Sequence, residues 1–260
     1  MRLPLYQVDA FTERRFAGNP AAICPLPKWL PDATLQAIAA ENNLAETAYL
    51  VAEPDGYRLR WFTPAVEVDL CGHATLAAAY VLMNCLGFGG DQVTFHSRSG
   101  PLTVARSGEM FTLDFPSRPG QPQPLDAAIT AAFGAAPTAI LAARDTMCVF
   151  ATAAEVRMLQ PDMTALKQLA PWAFIATAPG DDCDFVSRFF APKQGIDEDP
   201  VTGSAHCTLT PYWAARLGKS NLFARQVSTR GGELWCEDRG DRVRISGHGA
   251  LYMTGFIEVD

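Results

Sequence analysis

Hydrophobic and polar positions along the chain alternate between a period of two and a period near 3.6, the pattern of short strands interleaved with helices. Leu5-Tyr6-Gln7-Val8-Asp9-Ala10-Phe11 reads as a strand that breaks at Gly18-Asn19-Pro20, and Ala21-Ala22-Ile23-Cys24 as a second strand. Pro31-Asp32 opens a helix with Leu35, Ile38 and Ala39 on one face, running to about Asn42. The chain is a strand again by Thr47, and residues 57–62 alternate as a half-buried strand. Residues 75–83 are apolar on every side, which predicts a helix enclosed by protein, and Gly87 ends it. Strands follow at residues 92–95, 102–105 and 110–115, and the four prolines and one glycine of residues 116–124 predict a linker.

The second half repeats this order. Residues 147–151 read as a strand, 163–169 as a helix, 173–177 and 184–190 as strands, and 205–217 as a helix stopped by Gly218. Pro211 inside that helix removes one hydrogen bond and predicts a kink. Phe95-His96-Ser97-Arg98-Ser99-Gly100-Pro101-Leu102 aligns with Val227-Ser228-Thr229-Arg230-Gly231-Gly232-Glu233-Leu234, sharing Arg, Gly and Leu in register. Gly108 and Gly240 keep the same spacing of 132, and Gly72 and Gly203 lie 131 apart. A near-constant offset with matching element order predicts an α+β fold of two pseudo-symmetric lobes. Each is a bent antiparallel or mixed sheet wrapped around a central helix. The first lobe is placed at residues 1–115, joined by 249–260 as a returning strand, and the second at 116–248.

The organising feature of each half is a turn. Trp61-Phe62-Thr63-Pro64 precedes Glu67-Val68-Asp69-Leu70-Cys71-Gly72-His73-Ala74, and Phe189-Phe190-Ala191-Pro192 precedes Asp197-Glu198-Asp199-Pro200-Val201-Thr202-Gly203-Ser204-Ala205-His206. Each runs acidic residues into small ones and then into a helix, whose first turn has backbone N–H groups with no internal partner and so presents them to an anion. Two such turns, one per lobe, predict helix N-termini facing a shared cleft that binds a small anionic metabolite.

Composition narrows the choices. A net charge of −7 with no basic cluster argues against nucleic-acid binding. No run of about 18 apolar residues exists, so no membrane span is expected, and the first nine residues lack the apolar core of a secretory signal. Seven scattered cysteines without a C-x-x-C pair fit reduced thiols in a cytoplasmic protein. His73, His96, His206 and His248 have no metal-ligand spacing, so no metal is expected.

Several residues are candidates for chemistry. Glu46, set between Leu44-Ala45 and Thr47-Ala48, reads either as a desolvated carboxyl with a raised pKa, able to move a proton, or as a carboxylate at a helix-to-strand junction. His73 either donates a proton or fixes a carboxylate, or it caps its helix. Asp199 either holds a substrate amine or hydroxyl or orients His73, or it complements the helix dipole. Cys71 is either a thiolate favoured by the helix N-terminus or a small buried residue. Thr202, Gly203 and Ser204 supply donors for an anion, whereas His206 and Cys207 read as packing. Ser-His-Asp hydrolysis has no G-x-S-x-G elbow to support it.

Gly18-Asn19-Pro20-Ala21-Ala22, Asn42-Asn43-Leu44-Ala45-Glu46-Thr47-Ala48, Cys71-Gly72-His73-Ala74-Thr75 and the Asp197–His206 stretch together resemble the PhzF family of phenazine-biosynthesis-like isomerases, over nearly the whole chain. The resemblance implies a diaminopimelate-epimerase-like fold, a cleft site, no cofactor and a homodimer. It implies Glu46 as the acid/base, with His73 and Asp199 beside it, and Asn19, Cys71, Gly72, Thr202, Gly203 and Ser204 as substrate- or anion-binding residues. Related epimerases and racemases use two opposed cysteines. Cys71 matches the first, but the second position is Thr202, which cannot serve as a thiolate base. An amino-acid epimerase using Cys71 and a non-catalytic carboxylate-binding protein remain the alternatives, and the substrate itself is not legible.

Overall fold

A computed structural model describes residues 1–260, which divide into two compact units, residues 1–114 with 246–260 and residues 115–245. In the first unit the elements are β1 (Arg2–Ala10), β2 (Asn19–Leu26), α1 (Asp32–Asn42), β3 (Glu46–Glu53), β4 (Gly56–Phe62), β5 (Glu67–Val68), α2 (Gly72–Cys85), β6 (Gln92–Ser97), β7 (Gly100–Ser107) and β8 (Met110–Pro116). The second carries β9 (Gln121–Gln123), α3 (Ala127–Phe133), β10 (Ala139–Ala142), β11 (Thr146–Val149), α4 (Ala153–Met158), α5 (Met163–Gln168), β12 (Phe174–Pro179), β13 (Phe185–Ala191) and β14 (Ile196–Asp199). These are followed by α6 (His206–Leu217), β15 (Asn221–Gln226), β16 (Gly232–Asp238) and β17 (Arg242–Gly247). The chain then returns as β18 (Gly249–Glu258), antiparallel to β1.

One pairing scheme is used twice. In the first unit β2 pairs antiparallel with β1 and parallel with β3, β4 pairs antiparallel with β3 and β5, and parallel β6 follows, with β7 antiparallel to it. In the second, β11 pairs antiparallel with β10 and parallel with β12, β13 is antiparallel to β12 and β14, and parallel β15 is followed by antiparallel β16. The parallel steps need crossovers, which α1 and α2 provide in the first unit and α4 with α5, then α6, in the second.

The first expected repeat alignment holds on only one side of its hairpin. Ser97 faces Gly100 across two residues, whereas Gln226 faces Gly232 across five. Gly100 and Gly232 therefore correspond, but Phe95 is the counterpart of Ala224 rather than of Val227, since both face the shared leucine, Leu102 or Leu234. The three added residues hold Ser228, whose hydroxyl donates to Pro200 O at 2.7 Å and so ties down the second turn. The predicted linker also contains structure: Pro122 and its neighbours form β9, antiparallel to β10. A strand of this length carries too little periodicity to be read from sequence.

Helix α2 is apolar all round because it is enclosed. Ala74, Leu76, Ala77, Ala78, Ala79, Val81 and Leu82 are all buried, and the helix packs on β1, β2, β3 and β7. Helix α1 covers the other face, with Leu35 and Ala39 against Leu3, Leu5, Cys24 and Tyr49, and Tyr49 Oη donates to Leu35 O at 2.7 Å. The second unit has a core centred on Phe133, whose ring meets Phe150, Phe174 and Phe190 edge-on at 5.8–5.9 Å. Such pairs each contribute about 0.5–1.5 kcal/mol beyond the area they bury. No helix is long and apolar enough to cross a membrane.

Candidate active site

Three chain segments of the first unit converge on one imidazole. Helix α1 ends on Asn43 in the left-handed conformation, with φ 49° and its N–H bonded to Ala39 O. The chain then enters β3 with Glu46 as its first residue, paired to Ala21 on β2. Asn42 Nδ2 donates to Thr47 Oγ1 at 3.0 Å and fixes the register of that entry. On β2, Gly18 turns the chain with φ +64°, where an added Cβ would lie 2.2 Å from Ala10 O, so only glycine fits. That turn delivers Asn19, fully buried, as the first residue of β2. Extended Cys71 precedes α2, and its carbonyl accepts from Thr75 Oγ1 at 2.5 Å, leaving His73 in the first helical turn.

His73 Nε2 lies 3.0 Å from Glu46 Oε2, with side-chain exposures of 6% and 13%. On the other side of the ring, Nδ1 lies 3.2 Å from Asn19 Nδ2 and 3.5 Å from Cys71 Sγ. Of the apolar neighbours of Glu46 along the chain, Leu44 packs into the α1 core, whereas Ala48, two residues on in β3, is buried on the same face as Glu46. The carboxylate faces an imidazole close enough to exchange a proton with it. Burial opposes charge on His73, but the adjoining Cys71 sulfur and the Glu46 carboxylate together raise it well above the usual histidine range. Cys71 is itself pushed up to about 11, by burial first and then by Glu46, so at neutral pH it is a thiol. The sulfur then carries no charge, and the carboxylate is the partner that favours imidazolium. The groups that orient His73 are thus Asn19, Cys71 and Glu46.

The donor atoms of Glu46, Cys71 and His73 lie within 4.8 Å of one another.

In the second unit the turn is held from behind. Asp199 Oδ2 accepts from Thr202 Oγ1 in a short hydrogen bond. Gln226, fully buried at the end of β15, accepts from Thr202 N at 2.8 Å and donates to Asp199 O at 2.7 Å. Thr202 thus places both its N–H and its hydroxyl inside the protein. Gly203 and Ser204 open a 3₁₀ turn, Gly203–Ala205, rather than the α-helix itself. His206 Nδ1 donates to Thr202 O at 2.9 Å, the same service that Thr75 performs for Cys71. Burial pushes His206 down to about 4, and it is a neutral structural residue as expected.

Both turns are latched alike. Arg60 donates from Nε and Nη2 to the two oxygens of Glu67 at 2.7 and 2.8 Å, and Arg188 to Glu198 at 2.7 and 2.8 Å. Each guanidinium lies over a phenylalanine, Phe62 at 5.1 Å or Phe190 at 4.9 Å. Bidentate pairs of this kind fix geometry as well as charge. The arginines sit one residue before the aromatic pairs already singled out, so the repeat could have revealed them. Gln226 had no such signal, since only folding brings it to Thr202.

The family profile described as phenazine biosynthesis-like protein matches residues 8–255. The chain belongs to the PhzF family. It is 51% identical over 261 residues to an uncharacterized isomerase of Pseudomonas aeruginosa, with all of both chains covered. A PhzF-family crystal structure from Enterococcus faecalis superposes with a TM-score of 0.98 at 48% identity, covering 100% of each chain. A hydroxyproline epimerase from Agrobacterium vitis shares the fold alone, with a TM-score of 0.62 at 11% identity over 98% of this chain and 92% of its own. The PhzF relatives bear the name isomerase, and the chain is an enzyme of that class with the epimerase-like fold.

Proposed function

We propose that this PhzF-family isomerase moves a proton between carbons of a small anionic metabolite without a cofactor, using Glu46 as the proton carrier. The observation that carries this reading is the enclosed 3.0 Å contact between Glu46 Oε2 and His73 Nε2. A carboxylate in that position takes a proton from a carbon next to a carbonyl, carboxylate or unsaturated ring, and then returns it to another carbon. His73 holds it in place. Gly203 and Ser204 supply amide donors to the substrate's negative charge, in the manner of an oxyanion hole, with Asp199 bracing their turn. A positioned acid/base contributes on the order of 10²–10⁴-fold.

The test is a metabolite screen by NMR in D₂O, scoring deuterium uptake at carbon. Glu46→Gln is expected to remove most uptake while leaving binding nearly intact. An unchanged rate in that variant overturns the assignment, and binding without exchange at any carbon points instead to a carboxylate-binding protein. The alternative of an epimerase using Cys71 is disfavoured by a thiol held up to about 11 and by Thr202 at the equivalent position.

A homodimer belongs to the same proposal, supported by exposed Tyr252, Met253 and Phe256 on β18. Light scattering that returns the 28.1 kDa mass of one chain overturns it.

A further inference from the structure

We propose that Asn19 is a positioning residue: its side-chain amide reserves Nδ1 of His73 as an acceptor, so that the neutral imidazole keeps its single proton on Nε2, facing Glu46. The positioning role rests on the reading of Glu46 as proton carrier, whereas the tautomer stands on geometry alone.

Asn19 Nδ2 has only hydrogens to offer, and it lies 3.2 Å from Nδ1. The Cys71 thiol approaches the same nitrogen at 3.5 Å, also as a donor while it keeps its proton. Two donors aimed at one ring nitrogen are satisfied only by a lone pair there. Across the ring the Glu46 carboxylate, 3.0 Å from Nε2, can only accept, and the two atoms face one another without the alignment of a hydrogen bond. The opposite tautomer would set N–H against N–H on one side and lone pair against lone pair on the other. In a site where Asn19 is fully buried and His73 is 5% exposed, neither mismatch is relieved by bulk water. The titratable groups in contact with the ring are Glu46 from β3 and Cys71 from the turn before α2, whereas Asn19 from β2 is uncharged. When the imidazolium loses a proton, it therefore leaves from Nδ1. The Gly18 turn has a reason in this: it places a neutral amide, with no charge of its own, against the ring.

The ring nitrogens of the intact protein are read by ¹⁵N NMR through long-range couplings from pH 5 to 10, with four histidines to assign. Nε2 is expected to stay protonated throughout, while Nδ1 takes the shift of a lone-pair nitrogen once the ring is neutral. In Asn19→Asp the carboxylate accepts from Nδ1, so the His73 transition is expected to move upward by a pH unit or more. In Asn19→Leu the neutral ring becomes a mixture of tautomers. Deuterium uptake by the substrate found in the screen should then fall about 10²-fold in kcat with KM little changed. A neutral wild-type ring carrying its proton on Nδ1, or the wild-type tautomer persisting in folded Asn19→Leu, overturns the proposal. If Asn19→Leu does not fold, Asn19→Asp with an unmoved transition does the same. Absence of deuterium uptake in the wild type overturns the Glu46 reading and leaves the tautomer measurement standing.

Discussion

His206 offers a sharp test of how the second unit is built. The ring is fully buried, donates through Nδ1 to Thr202 O, leaves Nε2 without a hydrogen-bond partner and lies 5.8 Å from Phe185. A charge there has no counter-ion, which is why burial moves the group from 6.5 to about 4. Because the folded value lies below the unfolded one, the stabilisation is complete above about 6.5 and is lost as pH falls towards 4. At about 1.36 kcal/mol per pH unit the gap corresponds to roughly 3 kcal/mol. The perturbation is His206→Thr, which copies the residue serving Cys71 in the first unit, where Thr75 Oγ1 reaches the carbonyl at 2.5 Å. At pH 7 the variant should be destabilised by roughly 2–4 kcal/mol, because a smaller side chain leaves a cavity. Between pH 7 and pH 4 it should lose about 3 kcal/mol less than the wild type. Urea unfolding at stepped pH measures both, followed by the fluorescence of Trp213, which stacks on Phe185 at 5.7 Å. Parallel stability–pH curves for the two proteins would refute the argument, since His206 would then not be the group titrating.

The other predictions concern the latch and the thiol. Arg188→Lys should lower the melting temperature, because one ammonium cannot span both Glu198 oxygens and also reach Val156 O and Leu159 O as Arg188 does. The expected loss is about 1–3 kcal/mol, and an unchanged melting temperature in calorimetry counts against the latch. Cys71, a thiol up to about pH 11, should react slowly with iodoacetamide at pH 7 compared with the unfolded chain. Rapid labelling of Cys71, read by peptide mass spectrometry, would show that the thiolate is already present.

What the chain reveals on its own follows the range of the forces involved. The uniform apolarity of α2 announces its enclosure, and Gly72 and Gly203 mark the turns, because those are properties of consecutive residues. Glu46 stands out through its motif, yet Leu44 misleads: it suggests an apolar surround but packs into the α1 core, while the carboxyl meets His73. Helices α3 and α4 are too short to show a period, although Asp126 and Thr152 cap them by accepting from Ala128 N and Glu155 N. The contacts of Gln226 with Thr202, and of Asn19 with His73, join residues far apart in sequence. No local pattern encodes them.

The two units show how one plan diverged towards different work. At the start of the parallel pair, Ala21 faces Glu46 in the first unit and Thr146 faces Phe174 in the second, and Phe174 is buried in the aromatic core. Cys71 and Thr202 both sit in extended conformation just before a turn glycine, and His73 corresponds to Ser204. Glu46, Cys71 and His73 of the first unit are thus replaced by Phe174, Thr202 and Ser204, whereas Glu67 keeps a carboxylate counterpart in Glu198. A mechanism with two opposed bases requires both copies to keep a proton-accepting side chain, and the second copy keeps none at these three positions. Its Thr202 is engaged by Asp199 and Gln226. The proposed single-carboxylate mechanism needs no more than this: at these three positions the proton-accepting side chains lie in the first unit.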